Sequence, residues 1–172
     1  MCVLACPLSS LFAGVVRVQR VGYINVDIPK YQTTGSAGFD LQAAIDRPIK
    51  LVPRGLSAKN WELIPAGFAI EIPEGFEAQI RPRSGLALKS GISIVNSPGT
   101  IDSDYRGPIG VILINHGIDV FTINPLDRIA QMIISPVVQV KLECVESLTD
   151  TARGAGGFGS TGNGTGFIKH GA

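Results

Sequence analysis

The chain has 172 residues with 15 Lys plus Arg against 14 Asp plus Glu, which suits one domain and excludes a basic surface for a nucleic-acid polymer or a membrane. Its 45% hydrophobic residues exclude global disorder, and 21 Gly with 11 Pro exclude a helical bundle. No apolar run approaches the roughly 20 residues that span a bilayer.

The first residues are interpreted as a leader ahead of the domain. Residues 1–13 are apolar but carry no basic residue, so they do not fit a secretory signal. We predict a flexible leader over 1–15. The three cysteines, Cys2, Cys6 and Cys144, fit neither a disulfide framework nor a zinc site, which indicates a reduced, cytoplasmic protein.

Apolar and polar residues alternate with period two in several segments, as in half-buried strands. Prolines recur between these segments and leave no room for long helices. Residues 109–114 are apolar almost throughout, as in a strand buried on both faces. One short helix is predicted over 84–89, capped by Ser84 and ended by Gly91. The alternating segments are 16–18, 24–28, 76–80 and 138–144.

These elements predict an all-β fold, a jelly-roll-like sandwich or barrel with one short helix. The folded domain is expected over 16–148. From residue 154 to 166, seven of thirteen residues are glycine, and glycine loses the most backbone entropy on ordering. We therefore predict a mobile C-terminal arm over 149–172.

Two segments in the first half of the chain carry polar groups in patterns that suit chemistry. Asp40 lies between apolar neighbours and is either a magnesium ligand through water or a hydrogen-bonded turn residue. Arg83, Ser84 and Gly85 stand at the start of the predicted helix. They form either an anion site or a simple helix cap.

The segment 96–107 is the third. Its Pro98-Gly99 pair favours a tight turn and therefore predicts a hairpin with polar residues at its mouth. Hairpin backbone groups can copy base pairing against a pyrimidine edge. Asp102 is either a general base for water or a turn residue, and Tyr105 offers a platform for a sugar or a ring.

The last two segments lie near the C-terminal end. Arg128 and Gln131 enter an apolar strand and need partners if they are buried, so we predict a structural salt bridge for Arg128. In the tail, Arg153 and the glycine backbone suit phosphate oxygens, and Phe158 suits a flat ring. The alternative for the tail is a flexible linker.

In this order the five segments closely resemble the motifs of the trimeric deoxyuridine triphosphate nucleotidohydrolases (dUTPases). The matching strings are AGFDLQAA, PRSGLALKSGI, NSPGTIDSDYRGPIGVILIN, DRIAQMI and RGAGGFGSTG, over about residues 24–162. The resemblance implies a jelly-roll homotrimer whose active sites are shared between subunits. It also implies Mg²⁺-assisted hydrolysis of dUTP to dUMP and pyrophosphate. Such a dUTP diphosphatase lowers dUTP and supplies dUMP for thymidylate synthesis.

The resemblance implies a role for each site residue. Asp102 would orient and deprotonate the water that attacks the α-phosphate, and Gln131 would contact that phosphate region or the water. Tyr105 would pack against the deoxyribose. Asp40 would bind the hydration shell of Mg²⁺, which the substrate phosphates otherwise hold, and Phe158 would stack on uracil. The other substrate-binding residues implied are Arg83, Ser84, Gly85, Asn96, Thr100, Ile101, Arg153, Gly159, Ser160 and Thr161.

Two other functions remain as alternatives. A related dCTP deaminase needs a catalytic carboxylate facing the base, and the apolar strand after Gly107 supplies none. A non-catalytic nucleotide sensor would lack Asp102 or an intact arm, and the sequence retains both. We expect dUTP and further copies of the chain as partners, with no nucleic-acid polymer and no membrane.

Overall fold

Strands dominate the computed structural model, which describes residues 14–56 and 59–157. Within those ranges one helix, α1, spans Ser84–Ser90. The strands there are β1 Arg17–Arg20, β2 Phe39–Gln42, β3 Ile49–Leu51, β4 Trp61–Pro65, β5 Phe68–Glu71, β6 Phe76–Arg81, β7 Ile92–Ile94, β8 Gly99–Ile101, β9 Gly110–Asn115, β10 Phe121–Ile123 and β11 Arg128–Pro136. The predicted all-β class with one short helix is confirmed.

All strand pairs in these ranges are antiparallel. A four-stranded sheet has the order β2-β11-β6-β8, a three-stranded sheet has the order β4-β9-β7, and two pairs are β1-β5 and β10-β3. Their inner faces meet in one core, where Leu41, Ile64, Phe68, Leu113 and Met132 are almost fully buried. Each such side chain stabilises the fold by about 2 kcal/mol through burial.

Strand β6 shows how alternation in the sequence becomes two faces of a sheet. Ala78 and Ile80 point into the core and are buried. The intervening side chains lie on the opposite face and form a hydrogen-bonded row. Arg81 donates to Gln79 Oε1 through Nε at 3.1 Å, and Gln79 Nε2 donates to Glu77 Oε1 at 2.6 Å. A polar outer face therefore runs the length of β6.

Two predicted strands are absent from the described residues. In 24–28, Val26 is buried, but Asp27 N donates to the side chain of Gln42 and not to the backbone of a neighbouring strand. In 138–144, Val138 and Leu142 are 86% and 89% exposed, and no strand of the described ranges pairs with the segment. Alternation describes a strand only where a neighbour accepts its backbone hydrogen bonds.

Strand β9 differs from its predicted burial on both faces. Val111, Leu113 and Asn115 are buried, whereas Ile112 and Ile114 are half-buried. The three-stranded sheet packs on the core through one face only, so the outer residues keep partial contact with solvent.

Contacts divide the chain into the units Met1–Gln139 and Val140–Ala172. The described part of the second unit has neither helix nor strand. A turn there is held by Arg153 Nε, which donates to Gly156 O at 2.8 Å. No helix in residues 14–56 and 59–157 has the length and hydropathy to cross a membrane.

The turn that leads into β11 carries backbone strain. Leu126 has φ +63°, in the left-handed region that costs a residue with a Cβ about 1–2 kcal/mol. Leu126 is 44% exposed, so removal of its side chain also loses part of its burial, and an alanine variant loses the same contacts. Leu126→Gly is therefore expected to melt about 1–3 °C above Leu126→Ala in scanning calorimetry.

Leu126→Ala is the matched control for this turn. It removes the same side chain but keeps the Cβ and therefore the strain. A glycine variant that melts no higher than the alanine variant would show that φ at this position is not a source of instability.

Candidate functional site

One polar cluster forms where β2, β11 and β6 lie side by side. Gln131 of β11 pairs with Asp40 of β2 on one side and with Arg81 of β6 on the other. Paired residues point to the same face of a sheet, so Asp40 and Gln131 share a face. The chain leaves β6 through Pro82 and reaches Arg83 at the start of α1.

Asp40, Gln131 and Arg83 line a cavity of about 430 Å³, which we call the cationic cavity. Its lining is Asp40, Arg83, Ser84, Gly85, Leu86, Lys89 and Gln131. The structure thus brings together five predicted site residues from three segments far apart in sequence. Lys89, from the last turn of α1, is a lining residue that the sequence reasoning missed, although its place on the same short helix as Ser84 could have indicated it.

Asp40 and Arg83 form the centre of the cavity wall. Arg83 Nε forms an ion pair with Asp40 Oδ1 at 2.9 Å, and Arg83 Nη1 donates to the carbonyl of Arg128 at 2.9 Å. Arg128 Nη1 donates to Asp40 Oδ2 at 3.2 Å, which confirms the predicted salt bridge of Arg128. Gln131 Nε2 donates to the carbonyl of Pro82 at 2.9 Å and so holds the backbone just before Arg83.

The charges around the cavity suit an anion. Arg83, Arg128 and Lys89 supply three positive charges against the single carboxylate of Asp40. A cluster of one sign raises the local concentration of ligands of the opposite sign.

The helix start differs from the prediction. Arg83, not Ser84, occupies the N-cap position with φ −91° and ψ 128°, and it makes no side-chain cap hydrogen bond. The ion pair of Arg83 with Asp40 and its hydrogen bond to the carbonyl of Arg128 fix this extended residue, so the helix begins at Ser84. Gly91 ends the helix with φ +65°, as predicted.

The predicted hairpin around Pro98-Gly99 is wrong. The strands that flank this turn join different sheets: β7 pairs with β9, and β8 pairs with β6. The chain turns over residues 95–98 between β7 and β8, and a Cβ on Gly99, the first residue of β8, would lie 3.3 Å from Asn96 Nδ2. Asn96 therefore lies beside Gly99 at the start of β8.

Asp102 follows Ile101, the last residue of β8, and begins a loop that is held by hydrogen bonds between its own residues. Tyr105 N donates to Asp102 O at 3.2 Å, and Tyr105 Oη donates to Pro108 O at 3.1 Å. Arg106 Nη1 donates to Ser103 O at 2.6 Å. We call residues 102–108 the carboxylate loop.

The Asp102 side chain itself is exposed. No hydrogen bond or ion pair to its carboxylate is found among residues 14–56 and 59–157, so both oxygens can accept hydrogen bonds from water. The side chain borders a second cavity of about 980 Å³, shared with Thr100, Glu77 and Asp104. Ile101 is buried and packs in the core.

Gly107 seats Tyr105 in the carboxylate loop. A Cβ at this position would lie 2.5 Å from Tyr105 Cζ and would also clash with its Oη. The sequence reasoning missed this role, whose signal is a glycine two residues after an aromatic one.

The two cavities lie toward opposite ends of β6. Ala78 pairs with Ile101, and Arg81 pairs with Gln131. The two pairs are three residue steps apart along β6, a distance of about 10 Å. Asp102 and Arg83 lie beyond these pairs in opposite directions, so they are farther apart still. Within one chain, then, the structure does not bring Asp102 to Arg83 or Ser84.

Most of the predicted arm residues cannot be placed. Arg153 lies within the described ranges and is exposed in its turn. The predicted residues Phe158, Gly159, Ser160 and Thr161 lie outside the described ranges.

Comparisons with known proteins agree on one family. The dUTPase family model matches residues 24–162. The chain is similar to the deoxyuridine 5'-triphosphate nucleotidohydrolase of Rhizobium rhizogenes, with 58% identity over 137 residues that cover 80% of this chain and 86% of that protein.

Solved structures show the same fold. The chain is similar to a mutant dUTPase of Staphylococcus bacteriophage 80alpha with dUpNHpp, at TM-score 0.75 and 24% identity, covering 87% of this chain and 99% of that one. It is also similar to a mutant dUTPase of phage phi11 of S. aureus, described with a structural Mg(II) ion, at TM-score 0.68 and 23% identity, covering 80% and 100%. The predicted jelly-roll architecture is confirmed.

Proposed function

Because the chain belongs to the dUTPase family, we propose that it hydrolyses dUTP to dUMP and pyrophosphate. The observation that carries this proposal is the 58% identity with a deoxyuridine 5'-triphosphate nucleotidohydrolase over most of both chains. The structure supplies the chemical groups that the reaction needs. They are the cationic cavity, which suits the phosphates, and the Asp102 carboxylate, which suits the water. Within the described ranges that carboxylate has no hydrogen-bond partner.

The cationic cavity takes the triphosphate in this proposal. The substrate carries roughly four negative charges, and a chain of net charge +1 must answer them locally. Arg83 and Ser84 supply N–H and O–H donors, and Gly85 leaves the backbone open to close approach, since a Cβ there would meet nothing within 4 Å.

Asp102 takes the water. Its carboxylate accepts a hydrogen bond from the water, holds it in line with the α-phosphorus and accepts its proton as the new P–O bond forms. The bond between the α-phosphorus and the bridging oxygen breaks, and pyrophosphate leaves. Positioning of the water supplies most of the rate acceleration that Asp102 provides. Gln131, already held at Pro82, lies beside the α-phosphate or the water.

The nucleoside is recognised by the residues around β8. Asn96 and the backbone of Thr100 and Ile101 read the uracil edge, and Tyr105 covers the deoxyribose where a 2'-OH would otherwise fit. A site that hydrogen-bonds one base edge leaves buried groups unpaired with another, and such rejection reaches about 10⁴-fold.

A homotrimer completes each site. One chain holds its cationic cavity and its carboxylate loop at separate ends of β6, so a site with both needs two copies. The proposed chain has a leader over 1–15, a catalytic domain over 16–148 and an arm over 149–172. The arm supplies Arg153, Phe158, Gly159, Ser160 and Thr161 over the bound nucleotide.

Magnesium enters with the substrate phosphates. Among the described residues, no group of three or more His, Cys, Asp or Glu could hold a metal ion. Both oxygens of Asp40 are already paired with guanidinium groups, Oδ1 with Arg83 and Oδ2 with Arg128, so Asp40 does not fit as a direct magnesium ligand. On the triphosphate, Mg²⁺ supplies charge neutralisation. We place the enzyme in the cytoplasm, where it lowers dUTP and supplies dUMP for thymidylate synthesis.

A substrate panel tests the proposed function. The chain with Mg²⁺ is expected to release pyrophosphate from dUTP far faster than from dTTP, UTP or dCTP. Equal cleavage of dTTP or UTP contradicts the specificity. Ammonia released from dCTP would indicate a deaminase, and binding of dUTP without turnover would indicate a sensor.

Gly107→Ala tests the seat of the sugar-binding tyrosine. The added methyl displaces the Tyr105 ring, so we expect kcat/KM for dUTP to fall about tenfold and the preference for dUTP over UTP to shrink. The measurement is steady-state pyrophosphate release with both nucleotides.

Gly35→Ala is the control, because a Cβ there meets nothing within 4 Å. If Gly107→Ala keeps both the rate and the preference of the unchanged protein, Tyr105 does not set the sugar specificity.

A further inference from the structure

The carboxylate of Asp40 is occupied from two directions. Oδ1 forms an ion pair with Arg83 Nε at 2.9 Å, and Oδ2 accepts a hydrogen bond from Arg128 Nη1 at 3.2 Å. The Asp40 side chain is 18% exposed, and the Arg83 side chain is 29% exposed. One negative charge therefore stands between two positive ones at a partly buried position.

This arrangement is unsuited to a magnesium ion. A directly bound divalent cation would compete with both guanidinium groups for the two oxygens of Asp40. A cation held through water would still lie close to the two positive charges. The residues that surround Asp40 in the cavity, Ser84, Lys89 and Gln131, add no second carboxylate.

We propose that Asp40 is a positioning residue for Arg83 and does not bind magnesium, an inference that rests on the proposed function. A guanidinium has five N–H groups. Arg83 directs Nε at Asp40 in the ion pair and donates through Nη1 to the carbonyl of Arg128. Three N–H groups take part in neither contact and remain for the substrate phosphates.

Several elements fix the side chain of Arg83 and the backbone that precedes it. Asp40 on β2 and the Arg128 carbonyl on β11 fix the side chain, and Gln131 fixes the preceding carbonyl of Pro82. A long arginine side chain that is already ordered loses less conformational freedom when the triphosphate binds. Arg128 contributes through its backbone to Arg83 and through its side chain to Asp40.

Asp40→Asn separates positioning from metal binding. The variant keeps the shape but loses the charge that holds both arginines. We expect binding of a non-hydrolysable imido analogue of dUTP to weaken about tenfold in calorimetry, equally with Mg²⁺ and with EDTA. The Mg²⁺ concentration for half-maximal turnover should stay unchanged, and KM should rise more than kcat falls.

A double variant checks that Asp40 acts through Arg83. If it does, Asp40→Asn with Arg83→Gln binds the analogue no more weakly than Arg83→Gln alone. Asp46→Asn, which removes an exposed carboxylate outside the cavity, is the matched control and should bind like the unchanged protein.

Arg128→Met is the second variant if Asp40→Asn does not fold, because the Arg128 side chain is 54% exposed. It should weaken analogue binding about threefold, again with or without Mg²⁺. Weakening confined to Mg²⁺-containing buffer, a raised Mg²⁺ requirement or unchanged binding would overturn the inference. Absence of dUTP turnover in the unchanged protein would instead overturn the proposed function.

Discussion

Asp102→Asn is expected to lower kcat for dUTP about a thousandfold while the affinity for a non-hydrolysable dUTP analogue changes less than about threefold. The amide keeps the size of the carboxylate but offers one acceptor oxygen and cannot accept the proton of the attacking water. Because the Asp102 carboxylate has no partner within the described ranges, its replacement leaves no group there unsatisfied. The measurement pairs pyrophosphate release with calorimetric binding.

Asp104→Asn is the control for this experiment. Asp104 is exposed, lies two residues along the same carboxylate loop and borders the same cavity. It removes an equal charge from the same surface, so a general electrostatic effect would appear in both variants. Turnover by Asp102→Asn within tenfold of the unchanged protein would remove Asp102 from the reaction.

The predicted strands that form are those with a neighbouring strand to pair with in the described ranges. In 76–80, alternation puts Ala78 and Ile80 in the core, and β11 and β8 accept the backbone hydrogen bonds. In 138–144 the same alternation is present, but the segment has no ladder within the described ranges. Periodicity encodes which side chains share a face and does not encode whether a neighbouring strand is available.

Turn chemistry was less informative about pairing than about local shape. The chain does turn just before Pro98, but Gly99 is already the first residue of β8, and β7 and β8 join different sheets. A turn joins two strands in sequence, whereas the core decides which sheet each one enters. The helix start shows the same effect, since Arg83 is fixed by Asp40 from β2 and not by its neighbours in sequence.

The site could be anticipated as motifs but not as contacts. Residue types indicated an anion site at Arg83 and a free carboxylate at Asp102. Only the register of β11 shows that Gln131 stands between Asp40 and Arg81. Register depends on long-range pairing, so the two guanidinium groups on Asp40 could not be predicted.

Two inactive variants are expected to restore activity to each other when they assemble together. Asp102→Asn chains keep the cationic cavity, and Arg83→Gln chains keep the carboxylate. If a site takes these groups from different copies, equal amounts that are unfolded and refolded together give about a quarter of the sites both groups. Pyrophosphate release should then approach a quarter of the rate of the unchanged protein, in particles of about three times 18.1 kDa.

The matched control refolds Arg83→Gln with the double variant Arg83→Gln, Asp102→Asn. No chain in that mixture has Arg83, so no arrangement of subunits completes a site, and the rate should stay at background. A mixture of the single variants that forms the same particles yet stays inactive would mean that each site draws on one chain. The separation of Asp102 and Arg83 along β6 argues against that outcome, because no residue that lines one chain's cationic cavity also lines the second cavity, which Asp102 borders.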